Sequence, residues 1–367
     1  MFSQASHRCP GDLSWVACGL VNKFSYGIQK PLGAEAPQRP GGGIIGGHSV
    51  FGRITCLENL FFAWRQFRRG KRSKREAQEF EFRAEDHLFQ LHQELTNKTY
   101  THLDYTSFYV SDPKLRHIHK ADIRDRVVHH AIHNVLYPIF ERHFIHDSYS
   151  CRLGKGTHRA VDRLEQFIRK AGDNRRRPVF ASKCDIRKFF ESIEHQTLLN
   201  IIEQNIQDAE TMWLIKRVLD SFSKLPGKSL PLGNLTSQLF GNIYLNEFDQ
   251  FVKHILKERY YIRYCDDFIV LSDNAEKLIE LVSKFQEFLR ERLGLELHPH
   301  KVFIRKYGQG IDFLGYIVLP YHRVMRTRTR RRMLRKNTSK NLPSYMGILD
   351  HCNGHIIRKK LAEQVNY

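Results

Sequence analysis

The chain of 367 residues is long enough for two or three domains with a buried core. Its formal net charge of +20 and pI near 9.7 predict a polyanionic partner, and an aromatic content of 12% favours nucleic acid, because aromatic rings stack on bases. Seven cysteines without a Cys-x-x-Cys pair argue against a disulfide framework and a zinc site, and no apolar run reaches the roughly 18 residues of a membrane span.

Residues 1–53 form the first predicted segment. They contain Pro31, Pro37 and Pro40, followed by the glycine-rich stretch 41–47. Such a composition buries little surface, so we expect a flexible Pro/Gly-rich arm outside the core, although translation from an upstream start codon explains the segment equally well. No basic region precedes a continuous apolar segment, as a secretory signal requires, so a cytoplasmic location is expected.

Two helical stretches follow from Ile54, over residues 59–69 and 77–95. The basic run 70–75 separates them. Basic runs usually form solvated faces, and in so cationic a chain contact with phosphates is an equally good interpretation.

Residues 114–126 are predicted to open a helix, which apolar residues continue at helical spacing to Ile139. A Gly-Lys-Gly sequence at 154–156 precedes another helix, which reaches about Lys170. This loop lacks the glycine spacing and Lys-Ser/Thr ending of a P-loop, so it is interpreted either as a turn or as a cradle of backbone amides for a phosphate. Five histidines are interpreted as packing or surface residues, because they lack ligand spacing: His129, His130, His133, His143 and His146.

The most informative stretch is 260–271, in which Asp266 and Asp267 stand between apolar flanks that predict two strands and a tight turn. In a surface hairpin, Asp in the turn needs no further explanation. On a core sheet, two like charges are costly, and a divalent metal with oxygen ligands removes that cost. A strand with Val179 and Phe180 is predicted to end at Asp185. Taken alone Asp185 is a helix cap, but with the other two it indicates a metal cluster.

The remaining predicted elements are mostly short. The loop 228–238 leads into an apolar helix, and residues 275–293 form an amphipathic helix. Strand-like residues follow at 295–297 and 302–304, and residues 311–318 form a hairpin. A basic run at 326–332 opens the C-terminal tail.

In order, these motifs resemble those of prokaryotic reverse transcriptases from roughly Ile54 to the C-terminus. The motifs are Asp185 with Phe189-Phe190, a Gly-x-x-x-Ser loop, Tyr-Cys-Asp-Asp at 264–267, Lys301, and Phe-Leu-Gly-Tyr at 313–316. The resemblance implies an α+β right-hand polymerase fold. Its expected parts are an N-terminal extension and fingers at 54–175, a palm with an antiparallel sheet and part of the fingers at 176–318, and a short basic helical thumb at 319–367.

The resemblance also implies an activity, RNA-directed DNA synthesis, and the residues that perform it. Asp185, Asp266 and Asp267, with the backbone carbonyl of Ile186, would hold two Mg²⁺ ions, for which Mn²⁺ can substitute. One ion activates the primer 3′-hydroxyl and the other neutralises the triphosphate. Lys301 corresponds to a general acid for pyrophosphate departure.

Two further sets of residues take their roles from the same resemblance. Phe190 corresponds to the bulky residue that crowds a ribose 2′-hydroxyl and so selects deoxynucleotides. The nucleotide-binding set is Arg116, Arg126, Arg152, Phe190, Leu232, Gly233 and Gln238, and the primer-grip set is Phe313, Leu314, Gly315 and Tyr316.

The loop departs from the common reverse transcriptase sequence Gln-Gly-x-x-x-Ser-Pro. Here it reads Leu232-Gly233, then Ser237-Gln238, a form that resembles the enzymes of diversity-generating retroelements, which copy RNA with errors at adenines. The chain is expected to stop after a short basic thumb, which would leave no room for an intron maturase or endonuclease domain and favours the same subfamily. The implied partners are a template RNA, a DNA or RNA primer, deoxynucleoside triphosphates and a small basic helical accessory protein, without a membrane.

Two alternatives stay open. The first is another prokaryotic reverse transcriptase, of the group II intron, retron or phage-defence type. The second is a non-catalytic RNA-binding protein of the same fold, against which the intact set of three aspartates argues.

Overall fold

The computed structural model describes residues 49–111, 115–174 and 176–364. Two compact units divide the chain: Met1–Arg142 with His195–Gly241, and His143–Glu194 with Asn242–Tyr367. Residues 1–48 of the predicted arm lie outside the described residues. Its last residues, from Val50, belong to a helix, so helical structure begins before the expected boundary at Ile54. None of the helices in the described ranges is long and apolar enough to cross a bilayer.

Within the described ranges the chain forms fourteen α-helices and nine β-strands, numbered here in chain order. The helices are α1 Val50–Thr55, α2 Leu57–Phe67, α3 Arg75–Phe82, α4 Ala84–Thr96, α5 Ile123–Glu141, α6 Thr157–Ala171, α7 Phe189–Ser192, α8 His195–Glu203, α9 Ala209–Asp220, α10 Leu235–Gln250, α11 Ala275–Leu293, α12 Thr327–Arg335, α13 Leu342–Leu349 and α14 His355–Glu363. The strands are β1 Thr106–Val110, β2 Arg116–Lys120, β3 Phe180–Asp185, β4 Tyr261–Tyr264, β5 Asp267–Ser272, β6 Phe303–Lys306, β7 Ile311–Phe313, β8 Tyr316–Val318 and β9 Arg323–Met325.

The first unit is helical apart from the β1–β2 hairpin. Helices α2 and α5 pack together, and the amide of Asn59 on α2 donates to the carbonyl of Ala131 on α5 over 3.1 Å. Both helices bury an apolar stripe at helical spacing, which stabilises their contact more than intrinsic helix propensity does. The buried residues include Leu60, Trp64 and Phe67 on α2 and Val128, Ile132 and Leu136 on α5.

The predicted helix over 114–126 begins later than expected. Arg116–Lys120 forms β2, which pairs antiparallel with β1, and α5 begins at Ile123. Two local features explain this. Buried Ile118 stands between more exposed polar neighbours, a pattern that suits a hairpin strand, and the carboxylate of Asp122 accepts from the Arg124 amide as an N-cap.

The second unit contains an antiparallel four-stranded sheet in the order β4-β5-β3-β6. The predicted hairpin over 260–271 is confirmed as β4 and β5, and the predicted helix over 275–293 is confirmed as α11. Leu297, predicted to lie in a strand, forms only an isolated bridge with Ile186. Alternate residues of β5 point to opposite faces, so Ile269 and Leu271 join the core under α6 while Phe268 packs against Phe285 of α11.

A three-stranded antiparallel sheet, β7-β8-β9, follows in the same unit. The predicted hairpin over 311–318 is confirmed as β7 and β8. The C-terminal helices bury a small cluster formed by Met325, Met333, Leu349 and Leu361. The tail therefore has an apolar core of its own beside its basic surface.

Phe268→Ala tests the core of the four-stranded sheet. The side chain is fully buried, with ring centroids 5.0 Å from Phe248 and 5.7 Å from Phe285. Its loss should lower the free energy of unfolding by about 3–5 kcal/mol, measured by urea denaturation. The control Phe303→Ala removes a ring that is 44% exposed and should cost less than about 1 kcal/mol. Equal losses in the two variants would contradict this packing.

Candidate active site

The turn between β4 and β5 carries the two adjacent carboxylates. Tyr264 and Asp267 pair across the hairpin, so Cys265 and Asp266 form a two-residue loop. Cys265 has φ +56°, a conformation that usually requires glycine and that costs a larger residue of the order of 1–3 kcal/mol. Interactions elsewhere must hold this turn in place.

A fully buried ion pair lies directly behind the turn. The guanidinium of Arg263 donates to both carboxylate oxygens of Asp249, over 2.7 and 2.6 Å, and the Tyr261 hydroxyl donates to the same carboxylate over 2.6 Å. The third guanidinium nitrogen donates to the carbonyl of Cys265 over 3.1 Å and to the side chain of Asn242 over 3.3 Å. Arg263 therefore ties the turn to helix α10.

The ionisation of Arg263 follows from the same contacts. Burial by itself lowers the pKa of the guanidinium, but the charge and hydrogen bonds of Asp249 outweigh burial, so the pKa is raised above its ordinary value. A bidentate pair without any exposed surface stays charged and fixed in geometry. The cation behind the turn is therefore permanent.

Strand β3 brings Asp185 beside this turn. Asp185 is directly opposite Asp267 in the β3–β5 register, and the amide of Ile186 donates to the carbonyl of Asp266 over 3.1 Å. The ammonium group of Lys301 lies 2.7 Å from a carboxylate oxygen of Asp185. The structure thus brings together the five residues predicted for catalysis and metal binding.

A second lysine, Lys183, contacts the other side of the cluster. It lies two residues before Asp185 on β3, and its ammonium group is 3.2 Å from Asp267 Oδ2 and 2.9 Å from the carbonyl of Asp312 on β7. The remaining oxygen of Asp267, Oδ1, is buried and accepts no hydrogen bond from the described residues. Lys183 therefore links the carboxylate cluster to the strand that begins the predicted primer grip.

The surroundings of Asp266 and Asp267 disfavour their ionised forms. Burial, followed by the nearby charge of Asp185, raises the pKa of Asp266. Burial also raises the pKa of Asp267 to about 7, even though the ammonium of Lys183 acts in the opposite direction. A further cation is what such a group of carboxylates requires in order to ionise completely.

The chemistry of the residues fits a divalent cation. No group of three His, Cys, Asp or Glu side chains among the described residues is arranged as a metal site, and Lys301 and Lys183 instead pair with Asp185 and Asp267. The donors are carboxylate and carbonyl oxygens, which suit Mg²⁺ and Mn²⁺. The unpartnered Oδ1 of Asp267 offers a ligand position without breaking any existing hydrogen bond.

Two predicted nucleotide-binding residues belong to the same unit. Phe190 is half-buried beside Phe189, with ring centroids 5.0 Å apart. Arg152 is buried, and its guanidinium donates to the carbonyls of Ile145 and Ser148 over 2.6 and 2.9 Å. In this structure Arg152 therefore contributes to loop geometry.

The other predicted nucleotide-binding residues lie in the first unit, where the 232–234 loop docks on β2. The carbonyl of Leu232 accepts from the His119 amide over 3.1 Å, and the Asn234 side chain donates to the His119 carbonyl over 3.0 Å. Gly233 has φ +114°, and a Cβ there would lie 3.0 Å from the Ile118 side chain. Glycine thus allows the loop to approach the strand closely.

Three more members of that predicted set lie in the first unit. Arg126 is half-buried, stacks on the Phe67 ring at 4.6 Å and lies 3.4 Å from the carboxylate of Glu76. Arg116 begins β2 opposite Val110, and Gln238 is half-buried on α10. Arg126 is therefore already engaged by a carboxylate and a ring.

The predicted primer grip is a tight two-residue hairpin. Leu314 and Gly315 join β7 and β8 with φ +50° and +92°, the combination that two-residue hairpin loops favour. Phe313 is fully buried, and the buried Tyr316 donates its hydroxyl to the carbonyl of Ile348 over 3.1 Å. The amide of Arg326 donates to the carbonyl of Gly315 over 2.9 Å, which fixes the loop to the start of α12.

Comparison with known proteins identifies the family. Residues 111–318 match the family described as reverse transcriptase (RNA-dependent DNA polymerase). The match covers more than half of the chain, which therefore belongs to the reverse transcriptase family. The chain is an RNA-directed DNA polymerase with the α+β right-hand polymerase fold, and the family uses divalent metal ions.

Two of the similar proteins are bacterial. Protein YkfC of Escherichia coli K12 is 26% identical, over 65% of this chain and 71% of its own length. The group II intron-encoded protein LtrA of Lactococcus lactis is 23% identical, over 77% of this chain, which spans just over half of LtrA at 57%. Among solved structures, apo telomerase from Candida tropicalis is 11% identical, with a TM-score of 0.47, and the superposition covers 66% of this chain and 52% of the telomerase.

Several residues at the site were absent from the predicted set, among them Arg263, Lys183 and Asn242. Arg263 interrupts an apolar strand with a charge, and this contrast was visible in the sequence. Lys183 shares a strand face with Asp185 because they are two residues apart, another readable signal. Asn242 gave no such signal, because it contacts Arg263 only through the fold.

The turn and its buried pair generate a prediction. Arg263→Met leaves the Asp249 charge unpaired and should cost about 3–5 kcal/mol in urea unfolding. The triple variant Arg263→Met, Asp249→Leu and Tyr261→Phe removes every charged or hydroxyl partner and should regain most of that stability. Its kcat for primer extension should nevertheless stay low, since the Cys265 carbonyl has lost its donor. A triple variant with both stability and kcat at the wild-type level would contradict this role.

Proposed function

We propose that the chain synthesises cDNA on an RNA template by two-metal nucleotidyl transfer at Asp185, Asp266 and Asp267. The supporting observation is the register of β3 against β5, which places Asp185 opposite Asp267 and beside the Asp266 turn. A half-buried carboxylate cluster in which the pKa values of Asp266 and Asp267 are raised is suited to divalent cations rather than to general acid–base work alone. The substrates are an RNA template, a DNA or RNA primer and deoxynucleoside triphosphates.

The chain's own residues then have definite tasks. Asp185, Asp266, Asp267 and the Ile186 carbonyl would hold two Mg²⁺ ions, which would supply Lewis-acid activation of the primer hydroxyl and neutralise charge on the triphosphate. The primer 3′-hydroxyl gives up its proton to solvent as its oxygen bonds to the α-phosphorus, and the bond from that phosphorus to the pyrophosphate oxygen breaks. Lys301, held 2.7 Å from Asp185, donates a proton to the departing pyrophosphate, and Phe190 excludes a ribose 2′-hydroxyl.

We further propose that the enzyme belongs to a diversity-generating retroelement. The support is the loop sequence, with Leu232 before Gly233 and Gln238 after Ser237. The proposal carries with it error-prone copying at template adenines and a small basic helical accessory protein as partner. The similarity to LtrA favours a second candidate, a group II intron type enzyme. An imperfect repeat and a small accessory gene beside this gene would support the first, and an intron would support the second.

Asp266→Asn and Asp267→Asn test the activity. Each variant removes one negative charge from the cluster at nearly constant size, so metal affinity and transition-state stabilisation should both fall. We expect primer extension on an RNA template to fall by at least about 10²–10³-fold, as for the loss of one well-placed electrostatic contact. Thermal unfolding and RNA affinity should stay close to wild type. Extension near the wild-type rate by either variant would refute the assignment of the site.

Leu232→Gln tests the subfamily. Leucine offers no hydrogen bond to a base pair, and selection by apolar shape alone reaches on the order of 10- to 200-fold, less than a buried polar contact provides. Restoring glutamine should therefore reduce misincorporation opposite template adenines, measured by sequencing cDNA made on one template. Leu232→Met, which changes the side chain without adding an amide, is the matched control. Equal error rates for wild type and Leu232→Gln at similar yield would exclude a role for this residue.

A further inference from the structure

A groove of about 450 Å³ lies in the second unit at the start of β3. Its walls come from the end of α6, from residues 177–179, from residues 306–308 and from the β8–β9 connection at 319–322. Val179 at the groove and Asp185 at the active site are six residues apart on extended chain, which corresponds to about 20 Å. The groove, called the β3 groove below, is thus separate from the carboxylate cluster.

The β3 groove is strongly cationic. Arg169, Arg177 and Lys306 line it and are exposed, and among the described residues neither Arg177 nor Lys306 forms an ion pair. Of the described lining residues, one carries a carboxylate, Glu165, and its charge is shared with Arg323 at 3.6 Å. Positive charge in a concave surface attracts a polyanion more strongly than the same charge on a flat surface.

The walls of the β3 groove are fixed by backbone hydrogen bonds. The amide of Arg177 donates to the carbonyl of Gly172 over 3.0 Å, and the amide of Tyr307 donates to the carbonyl of Val179 over 2.8 Å. The Tyr307 hydroxyl in turn donates to the carbonyl of Leu319 over 2.7 Å. The groove is therefore a formed surface rather than a gap between side chains.

An aromatic side chain accompanies these charges. Tyr321 lines the β3 groove and is 81% exposed. Exposed rings beside lysine and arginine suit single-stranded nucleic acid, in which the bases are free to stack while the cations follow the phosphates. An acidic protein segment would use the cations but offers no bases to stack on the ring.

We propose that the β3 groove binds a single-stranded segment of RNA outside the catalytic site. The proposal goes beyond the polymerase activity and takes from the proposed function only the identity of the ligand as RNA. The bound segment would tether the template to the enzyme while its other part is copied. Affinity for a long RNA should therefore exceed affinity for a primer–template confined to the active site.

The test compares two charge-matched triple variants. The groove variant removes three cations from the β3 groove and combines Arg169→Ala, Arg177→Ala and Lys306→Ala. The control variant removes the same charges from the exposed face of α11 and combines Lys284→Ala, Arg290→Ala and Arg292→Ala. The ligands are one short primer–template and the same duplex with single-stranded RNA overhangs of increasing length. Each single-strand phosphate contact contributes about 0.7 to the salt dependence of binding, so three lost contacts should reduce the slope by about 2.

The groove variant should bind the long RNAs at least about tenfold more weakly, with a reduced salt slope, while extension of the short duplex is unchanged. Gly308→Glu provides an independent check, because a Cβ at Gly308 meets no atom within 4 Å and the new carboxylate adds negative charge without removing a cation. It should weaken binding of the long RNAs in the same way. Failure of wild type to extend the short duplex would contradict the polymerase proposal instead.

Equal weakening by the groove and α11 variants would overturn the groove proposal, since charge alone would then explain RNA binding. Unchanged affinity in both Gly308→Glu and the groove variant would overturn it as well. Competition by polyglutamate as effective as competition by RNA would assign the groove to an acidic protein partner. Crosslinks from 4-thiouridine in the overhang to Tyr321 or Tyr307 would support RNA directly.

Discussion

The buried pair of Arg263 and Asp249 is the interaction on which the active site depends. A strained turn must present two adjacent carboxylates at the edge of a core sheet, where both backbone conformation and charge oppose it. Arg263 stabilises the turn in both respects, because it donates to the Cys265 carbonyl within the turn and places a permanent positive charge behind it. Buried ion pairs seldom add net stability over well-packed apolar residues. The value of this pair is therefore the fixed position of the turn.

Two lysines complete the charge balance in front of the carboxylates. Lys301 pairs with Asp185 and Lys183 pairs with Asp267, so each of the two facing strands has its own counterion. Lys183 also bonds the Asp312 carbonyl, and Arg326 pairs with the Asp312 side chain. A change in charge at the carboxylates is thereby coupled through Lys183 to the β7–β8 hairpin, which is the predicted primer grip. A metal ion has to compete with Lys301 and Lys183 for the carboxylates. The positions of the two ammonium groups therefore affect how readily the cluster ionises and binds metal.

The strands that carry the carboxylates, β3, β4 and β5, were predicted correctly from the sequence. A short apolar run next to a carboxylate is compatible with few structures other than a strand that meets a turn. The end of β3 at Asp185 and the start of β5 at Asp267 could therefore be predicted from these stretches alone. The β2 strand was misassigned because its short polar sequence, Arg116–Lys120, leads directly into a true helix and shares that helix's basic character. The β3 groove was beyond prediction, since residues 165–179 and residues 306–322 are remote from each other in sequence and meet only through tertiary packing.

The same distinction applies to individual site residues. Asp266 can be recognised as a candidate site residue from the sequence alone, because a charged residue between apolar flanks is costly to bury in any fold. The contacts of Lys183 and Arg263 depend on which strand pairs with which, and one sequence does not determine that pairing. Residues that hold the reacting groups in place are therefore the part of an active site most readily missed without a structure.

The most direct measurement is an anomalous difference map from crystals of the enzyme with primer–template, a non-hydrolysable deoxynucleotide and Mn²⁺. Two-metal catalysis at this cluster predicts peaks bounded by Asp185, Asp266 and Asp267, with the ammonium groups of Lys301 and Lys183 displaced from their present carboxylate partners. Ordered substrate with no anomalous density among these three side chains, or with the lysines still paired to them, would contradict it.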